Sequence, residues 1–449
     1  MKDIAQKSKM RKFRGKAVQR VHVMVKPTGA LCNLNCTYCY YLSKGELLGK
    51  PENWRMSDEV LETFICQYFE AQNYKEVVFS WQGGEPTLLG LNFFRKVVEL
   101  EKKYCPPYVR CENDLQTNGT LLDNEWCAFL HDHNFLVGLS IDGPKKLHDI
   151  HRKDKSGQGT FDRVFAAVKL LKKHKVNFAT LSCINRVTAR RPLEVYRFLR
   201  DNVGSNRMQF IPIVEYVGFQ KVAPPPLDNL AGLSEVEDQW DERLMPVLGS
   251  PRAKPGTEGS ALEEWSLDPH DWGDFLCRVF DEWHRKDLGR IYVNYFEAAV
   301  ETWMGHMSPL CTQSPMCGKG LAIERDGSVY ACDHYVYPKY RIGNIQDKPL
   351  VEMAFSRRQE RFGKMKEGAL PEWCRKCEYQ FACFGGCPKN RFIKTPDGEP
   401  GLNYLCSGWK TFFSHIDKPV QRIVRSLGET VVKQVQSLPA EHWQPEKQI

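Results

Sequence analysis

Residues 21–39 read VHVMVKPTGALCNLNCTYC, a short apolar run followed by a loop with three cysteines. The run Val21–Lys26 is rich in valine, which is typical of a buried strand. The gaps between Cys32, Cys36 and Cys39 are short, so the loop can wrap three thiolates around one inorganic cluster. Three ligands on a [4Fe–4S] cluster leave one iron open to another ligand. A zinc site with a distant fourth ligand and buried free cysteines are the alternatives.

From Val21 to about Val214 the chain alternates short β-branched runs with amphipathic stretches of helical period. Six such units predict a parallel sheet, either open and doubly wound or curved into a partial barrel. The expected helices lie near 57–71, 91–104, 123–133, 160–174 and 188–201, with Ser57 and Asp123 as N-caps. The expected strands are Val21–Lys26, Glu76–Trp81, Glu112–Gln116, Leu136–Ile141, Val176–Ile184 and Met208–Val214.

Polar and glycine-rich residues follow several of these strands. The carboxyl ends of parallel strands meet at one edge, where sites of this architecture lie. A cysteine loop directly after the first strand of such an array favours iron over zinc. The strand ends read Lys26-Pro27-Thr28-Gly29, Gln82-Gly83-Gly84-Glu85-Pro86, Gln116-Thr117-Asn118-Gly119 and Ser140-Ile141-Asp142-Gly143.

Composition excludes several classes of protein. The 449 residues contain 63 Lys+Arg and 55 Asp+Glu, a formal charge of +8. Eight Lys or Arg and one Asp fall in the first twenty residues, so the body is nearly neutral and we expect no nucleic-acid partner. No apolar run is long enough to span a membrane, and the basic start lacks the features of a secretory signal. We therefore expect a cytoplasmic protein, whose 17 cysteines stay reduced.

A second array of cysteines follows a proline-rich stretch at 219–262, which we interpret as an insertion with a short helix near 234–244. Helical period resumes at 268–286 and 294–304, and one or two helices and a polar tail end the chain. Eight cysteines can supply two [4Fe–4S] clusters with four thiolates each. By count alone two zinc sites of four cysteines each fit equally well, but an iron–sulfur loop upstream favours iron. The array is Cys311, Cys317, Cys332, Cys374, Cys377, Cys383, Cys387 and Cys406.

Residues 21–214 resemble the radical SAM enzymes. The carriers of this resemblance are the CxxxCxxC loop with Tyr38 before its last cysteine, the Gly83-Gly84-Glu85-Pro86 segment and Ser140-Ile141-Asp142-Gly143. The resemblance implies that Gly84 meets the amino group of S-adenosylmethionine (SAM), and that Ser140 and Arg152 hold its carboxylate and ribose end. It further implies that Tyr38 belongs to the cofactor site and that Val214, ending the sixth strand, contacts the adenine through its backbone.

The second array resembles the SPASM domain of radical SAM enzymes that modify peptides and proteins. Gly327-x4-Cys332 and the CxxCxxxxxCxxxC run carry this resemblance. It implies that Cys311, Cys317, Cys332 and Cys387 hold one auxiliary cluster. It also implies that Cys374, Cys377, Cys383 and Cys406 hold a second one. With both auxiliary clusters fully ligated, their expected role is to accept or relay electrons.

The whole pattern is similar to the anaerobic sulfatase-maturating enzymes, through all eleven cluster cysteines, Leu115-Gln116-Thr117-Asn118-Gly119 and Asp333 after Cys332. The resemblance implies that SAM and three [4Fe–4S] clusters generate a radical that takes a hydrogen from Cβ of a cysteine or serine in an unfolded sulfatase. Asp333 removes the thiol or hydroxyl proton, and an auxiliary cluster takes the second electron, so that Cα-formylglycine results. The sulfatase segment is expected to enter the mouth of the barrel, and Gln82 and Tyr41 are expected at the same mouth. His334 and Tyr335 either support the site or have packing roles.

The predicted organisation has six parts: a disordered basic tail at 1–20, a partial (β/α)6 barrel at 21–218, a proline-rich insertion at 219–265, a helical connection at 266–304, a SPASM domain at 305–420 and a helical tail at 421–449. We expect a monomer that receives electrons from a flavodoxin or ferredoxin and does not bind membranes. One alternative is a SPASM-type maturase of ribosomal peptides. The other is an iron–sulfur electron carrier without catalysis.

Overall fold

The computed structural model describes residues 21–49, 53–220 and 245–436. The predictions for the 1–20 tail, for a helix at 234–244 and for the last thirteen residues lie outside them. The main sheet of this part has ten strands in the order β10-β9-β8-β1-β2-β3-β4-β5-β6-β7. They are β1 His22–Lys26, β2 Glu76–Trp81, β3 Arg110–Thr117, β4 Leu136–Ser140, β5 Phe178–Ile184, β6 Arg207–Pro212, β7 Tyr292–Val293, β8 Gly320–Glu324, β9 Ser328–Tyr330 and β10 Arg341–Asn344.

The helices alternate with β1–β6, and further helices lie between the strands of the second half of the described chain. Two of them begin as predicted, because Ser57 accepts a hydrogen bond from Val60 N and Asp123 accepts one from Trp126 N. The α-helices are α1 Lys44–Leu47, α2 Asp58–Ala71, α3 Leu91–Tyr104, α4 Asn124–Asp132, α5 Lys145–His151, α6 Phe161–Lys173, α7 Pro192–Arg197, α8 Pro269–Lys286, α9 Asn294–Trp303, α10 Leu350–Ala354, α11 Arg357–Gly368, α12 Glu372–Arg375, α13 Gln380–Cys383 and α14 Cys406–Gln436.

The parallel part of the sheet is wound in one direction. Strands β1–β6 are neighbours in chain order and all pair in parallel. An open doubly wound sheet would reverse its order at a switch point, whereas a (β/α) barrel does not. The predicted (β/α)6 arrangement is therefore confirmed, and the open alternative is wrong.

The sheet extends beyond the six predicted strands on both sides. At one edge β7 pairs in parallel with β6, and at the other β8 pairs in parallel with β1 from His22↔Gly320 to Lys26↔Glu324. Strands β9 and β10 then continue antiparallel. The cysteine-rich half thus adds its first strand directly to the barrel edge. A separate two-stranded sheet, β11 Ile393–Lys394 and β12 Pro400–Leu402, lies among the later cysteines.

Aromatic side chains fill the layer between the sheet and the first helices. Phe64 of α2 meets Phe79 and Trp81 of β2 edge-on, with ring centroids 5.9 and 6.3 Å apart. Phe94 of α3 packs on the same Trp81 ring at 5.9 Å. All four rings are fully buried. Burial of such apolar area is the main stabilising term of a layer like this.

Two local predictions need correction. The sixth strand ends at Pro212, so Val214 lies two residues beyond it. The helix predicted at 188–201 is a short 3-10 turn, α7 and a π-helical turn at Phe198–Val203, because Pro192 begins a new helix at its first position.

The cysteines outside the cluster patterns are only partly core residues. Cys127 and Cys277 are buried, whereas Cys66 and Cys183 are half-buried. Through the described residues, no helix has the length and apolar character that a membrane span requires.

Helices α8 and α14 touch backbone to backbone, and this contact generates a prediction. A Cβ on Gly408 would lie 2.2 Å from the carbonyl oxygen of Pro269, whereas one on Gly428, further along α14, meets nothing within 4 Å. Gly408→Ala should push the helices apart and destabilise the chain by about 1–3 kcal/mol. Gly428→Ala should stabilise it by about 0.5–1 kcal/mol, because alanine favours helix. Equal melting temperatures for the two variants would contradict this packing.

Candidate functional site

The cysteine loop after β1 rests on the glycine-rich segment after β2. Gly84 N donates to the carbonyl of Gly29 at 2.8 Å, and Glu85 N donates to that of Leu31 at 2.9 Å. A Cβ on residue 84 would lie 2.0 Å from the Leu31 carbonyl oxygen. The close approach of the two backbones therefore admits only glycine at this position.

Glu85 joins the ends of β2 and β3 from a fully buried position. Its carboxylate accepts hydrogen bonds from Thr117 Oγ1 at 2.7 Å, from Asn118 N at 2.8 Å and from Thr87 Oγ1 at 2.6 Å. Burial raises the pKa of Glu85, and these hydrogen bonds oppose the rise. Asn118 in turn donates to Asn33 at 2.9 Å inside the cysteine loop. The strand ends and the loop are thus one hydrogen-bonded unit.

The thiols of Cys32, Cys36 and Cys39 are half-buried within this unit. Burial raises the pKa of Cys32 to about 11 and that of Cys36 to about 12, and both thiols lie near enough to Cys39 for its charge to contribute. Three sulfur ligands this close together fit an iron–sulfur cluster. The thiols would lose their protons when the cluster binds. Over the described ranges, no three His, Cys, Asp or Glu side chains are grouped as a site for a single metal ion.

Tyr38 and Arg152 meet on the buried carboxylate of Asp142. The Tyr38 hydroxyl donates to Asp142, and Arg152 Nε and Nη2 bind its two oxygens at 2.9 and 3.0 Å. Burial alone would raise the pKa of Asp142, but Arg152 lowers it below its usual value. The guanidinium also lies close enough to Cys36 to lower the pKa of that thiol against the effect of burial. Asp142 was named from the sequence only as part of the Ser140-Ile141-Asp142-Gly143 segment, and its contacts with Tyr38 and Arg152 were not predicted.

Ser140 and Val214 occupy different surroundings. Ser140 ends β4 and accepts a hydrogen bond from Gln116 Nε2 at 2.9 Å, at the edge that holds the cysteine loop. Val214 is buried, and its carbonyl accepts from Lys389 Nζ at 3.3 Å. Lys389 lies in the cysteine-rich half, so the segment after β6 is bound to that half.

Asp333 reaches the same edge from the chain beyond β9. Lys26, which ends β1, places its Nζ 2.6 Å from Asp333 Oδ1, and the Tyr40 hydroxyl donates to Oδ2. Burial alone would raise the pKa of Asp333, but Lys26, His334 and the Tyr40 hydrogen bond together lower it. Asp333 is therefore a buried carboxylate whose charged form its neighbours stabilise. Its partner Lys26 also lies 3.4 Å from Gln82 Oε1.

Further buried charges surround this pair. The Tyr41 hydroxyl donates to Glu324 at the end of β8, and Lys389 binds Glu215. Lys44 Nζ lies 3.2 Å from the centre of the Tyr337 ring, and no hydrogen-bond acceptor of the described chain reaches it. Burial lowers the pKa of Lys44 to about 7. Tyr41 was expected here, but the charged residues around it were not, since an isolated charge in a sequence indicates exposure unless its partner is known.

The eight later cysteines form two groups. Burial is the main cause that raises the pKa of Cys332, and further increases come from the neighbouring thiols of Cys317, Cys387 and Cys311. Burial likewise raises the pKa of Cys406, whose neighbouring thiols are those of Cys383, Cys374 and Cys377. Cys383 and Cys387 fall in different groups because the chain bends sharply between them. Three successive residues of this bend lie in the left-handed region: Phe384, Gly385 and Gly386, with φ of 44°, 68° and 61°.

Two buried cations hold the loops that carry these thiols. Lys366 of α11 donates to the carbonyls of Cys311 at 2.7 Å and Thr312 at 2.9 Å, and also to that of Ser314. Arg391 donates to the carbonyls of Phe384 and Gly385 in the bend, at 2.7 and 3.1 Å. Both cations also balance the charge that neighbouring thiolates would carry.

Replacing Lys366 by methionine tests this scaffold. Lys366→Met keeps the volume but leaves three buried carbonyls without their donor, at about 1–3 kcal/mol each. We expect the purified chain to lose iron and to melt at a lower temperature. Lys364→Met on the same helix is the control, because Lys364 is exposed and makes only a surface ion pair with Glu360. Equal iron contents in the two variants would contradict the role of Lys366.

Replacing Gly84 by alanine tests the contact between the first two strand ends. The added methyl would meet backbone atoms of Leu31, which cannot rotate away, so Gly84→Ala should displace the cysteine loop and reduce both bound iron and SAM binding. Gly45→Ala is the matched control, since its nearest neighbour would be the methyl group of Ala30 at 3.7 Å. Full SAM affinity in Gly84→Ala would show that the loop is not held in this way.

Comparison with known proteins agrees with this arrangement. The model of the radical SAM superfamily matches residues 27–199, and that of the SPASM iron–sulfur cluster-binding domain matches 311–378. A structure of Streptococcus suis SuiB bound to its precursor peptide, at 14% identity and a TM-score of 0.54 over 90% of this chain and 80% of that one, shares the fold only.

Three relatives are much more similar. The serine-type anaerobic sulfatase-maturating enzyme of Bacteroides thetaiotaomicron is 43% identical over 88% of this chain and 89% of its own length. The cysteine-type enzyme of Clostridium perfringens is 35% identical over 88% and 95%. The solved structure of native anSMEcpe with bound AdoMet and Cp18Cys peptide is 33% identical, covering 91% of this chain and 100% of that one, with a TM-score of 0.73. The chain therefore belongs to the anaerobic sulfatase-maturating enzymes, which are radical SAM enzymes with a SPASM domain.

Proposed function

We propose that this enzyme oxidises a cysteine or serine of an unfolded sulfatase to Cα-formylglycine, with Asp333 as the general base. The observation that carries the proposal is the position of Asp333. Its carboxylate is hydrogen-bonded to Tyr40, the residue directly after Cys39, and bound to Lys26 at 2.6 Å. A base kept ionised beside the cysteine loop is what removal of a thiol or hydroxyl proton needs.

The proposed cofactors are SAM and three [4Fe–4S] clusters. Cys32, Cys36 and Cys39 would hold the cluster that binds SAM, whose surroundings include Tyr38, Gly84, Ser140, Arg152 and Val214. The two groups of later thiols support two auxiliary clusters, with four thiolates each. Their ligands would be Cys311, Cys317, Cys332 and Cys387 for the first, and Cys374, Cys377, Cys383 and Cys406 for the second.

SAM bound at the cysteine loop and cleaved by one electron from a reduced cluster would supply the radical that removes one hydrogen from the substrate Cβ. Asp333 takes the proton of the substrate sulfur or oxygen, and Lys26 and Tyr40 keep its carboxylate oriented. Loss of one further electron leaves a thioaldehyde or an aldehyde, and water converts the thioaldehyde to the same aldehyde with release of hydrogen sulfide. Tyr41 and Glu324 are buried beside this pair, which limits the access of water to it.

The relatives support both kinds of substrate. One is a serine-type enzyme, another is a cysteine-type enzyme, and a similar solved structure contains a peptide. We propose that the enzyme works as a cytoplasmic monomer and takes its electrons from a flavodoxin or ferredoxin. Its 17 cysteines support a reducing compartment, since every one is free of disulfide bonds.

The test is anaerobic incubation of the reconstituted enzyme with dithionite, SAM and sulfatase peptides that carry cysteine or serine at the target position. We expect a mass change to formylglycine in at least one peptide. Asp333→Asn should retain iron and SAM cleavage but lower kcat by about 10²–10⁴-fold, the usual contribution of a general base. Asp347→Asn, an exposed change in the same half of the chain, should be fully active. Modification of neither peptide, or full activity of Asp333→Asn, would refute the proposal.

A further inference from the structure

His334 connects the residues around Asp333 to the first group of later thiols. It follows Asp333 in the chain, and its Nδ1 lies 3.4 Å from Cys387 Sγ. Its ring meets that of Tyr40 edge-on, with centroids 5.6 Å apart, and Tyr40 is the donor to Asp333. The sequence left open whether His334 supports the site or packs, and these contacts place it between the general base and a proposed cluster ligand.

When Cys387 binds a cluster, its hydrogen bond with His334 can have only one direction, with His334 as the donor. A cluster-bound thiolate has no proton and can only accept, so Nδ1 must carry the hydrogen in either the neutral or the cationic ring.

We propose that His334 donates an N–H···S hydrogen bond to Cys387 and thereby raises the reduction potential of the auxiliary cluster that Cys387 would hold, so that this cluster accepts the second substrate electron. The inference rests on the proposed function. Reduction adds a negative charge to the cluster, which strengthens a hydrogen bond to its thiolate, so a donor favours the reduced form.

The electron and proton balance of this step is complete. The substrate Cβ radical loses one electron to the oxidised auxiliary cluster, and its thiol or hydroxyl proton goes to Asp333. The cluster is reduced by one electron, which it later passes to an oxidised iron–sulfur protein or flavoprotein of higher potential. His334 does not exchange its own proton; it is a positioning residue that acts through Cys387.

Other cations near the same thiols act differently. Lys366 is directed at the carbonyls of Cys311 and Thr312, and Lys389 is bound to Glu215. The side chains of Lys366 and Lys389 act on the thiols through space, whereas the His334 side chain has an atom within hydrogen-bonding distance of Cys387 Sγ. The backbone N–H of Lys389 also donates to Cys387, and a substitution at His334 leaves that bond in place. Removing the His334 donor should therefore change one auxiliary cluster and leave the other unchanged.

The experiment is a potentiometric titration, followed by electron paramagnetic resonance, of the full-length enzyme with all clusters reconstituted. In His334→Phe the midpoint potential of one auxiliary cluster should fall by about 59 mV, which is a tenfold change in the one-electron reduction equilibrium. His334→Gln retains a side-chain N–H, so its midpoint potential should lie between those of His334→Phe and the unsubstituted enzyme. The control His306→Phe changes an exposed histidine and should leave all potentials unchanged. Unchanged potentials in His334→Phe would overturn the inference.

Two further measurements separate this inference from the proposed function. In unsubstituted enzyme with 15N-labelled histidine, the reduced auxiliary cluster should show a hyperfine coupling to a histidine nitrogen, and its absence overturns the inference even where His334→Phe fails to fold. With peptide present, His334→Phe should cleave SAM but yield less formylglycine per SAM. If no peptide is converted by any variant while the potential still shifts, the proposed function fails and the hydrogen bond stands.

Discussion

The pairing of β8 with β1 is the constraint on which the site depends. Five residues of each strand are in parallel register, ending at Lys26 opposite Glu324. Parallel strands point their carboxyl ends the same way, so the first strand of the SPASM half ends at the edge that carries the cysteine loop. Because β9 has only three residues, Cys332 and Asp333 follow close to that edge, and Asp333 reaches Lys26. The radical-generating half and the auxiliary half therefore share one sheet and one mouth.

The mouth buries charge at a cost in stability. The side chains of Lys26 and Asp333 are only 2% and 11% exposed, and the attraction within such a pair roughly offsets the desolvation of both groups. Losing one partner is expensive, at about 3–5 kcal/mol, because the other stays buried and unpaired. Three lysines and three carboxylates lie in this region: Lys26, Lys44 and Lys389 with Asp333, Glu324 and Glu215. Their charges compensate each other only in part, because burial lowers the pKa of Lys44 to about 7.

Local patterns predicted the elements well and their long-range partners poorly. The strand at Glu76–Trp81 and the helix at 91–104 have the predicted bounds, because alternation and helical period are encoded within each segment. The pairing of β8 with β1 was not predicted, since some 290 residues separate strands whose own sequences do not specify a neighbour. For the same reason Asp333 was singled out by resemblance, but Lys26 and Tyr40, which orient it, were not. The grouping of the eight later cysteines likewise depends on a bend at residues 384–386, which spacing alone does not reveal.

Two consecutive residues connect to different partners. The carboxylate of Asp333 contacts Lys26 and Tyr40, while His334 is directed toward Cys387. A backbone can place two adjacent side chains on different sides of a turn, and the short 3-10 turn at Asp333–Tyr335 has this geometry. In the proposed mechanism the proton goes to Asp333 and the electron to the cluster beside His334, so the two separate within one residue of chain. Because Tyr40 contacts both residues, a displacement of the cysteine loop would disturb both proposed paths at once.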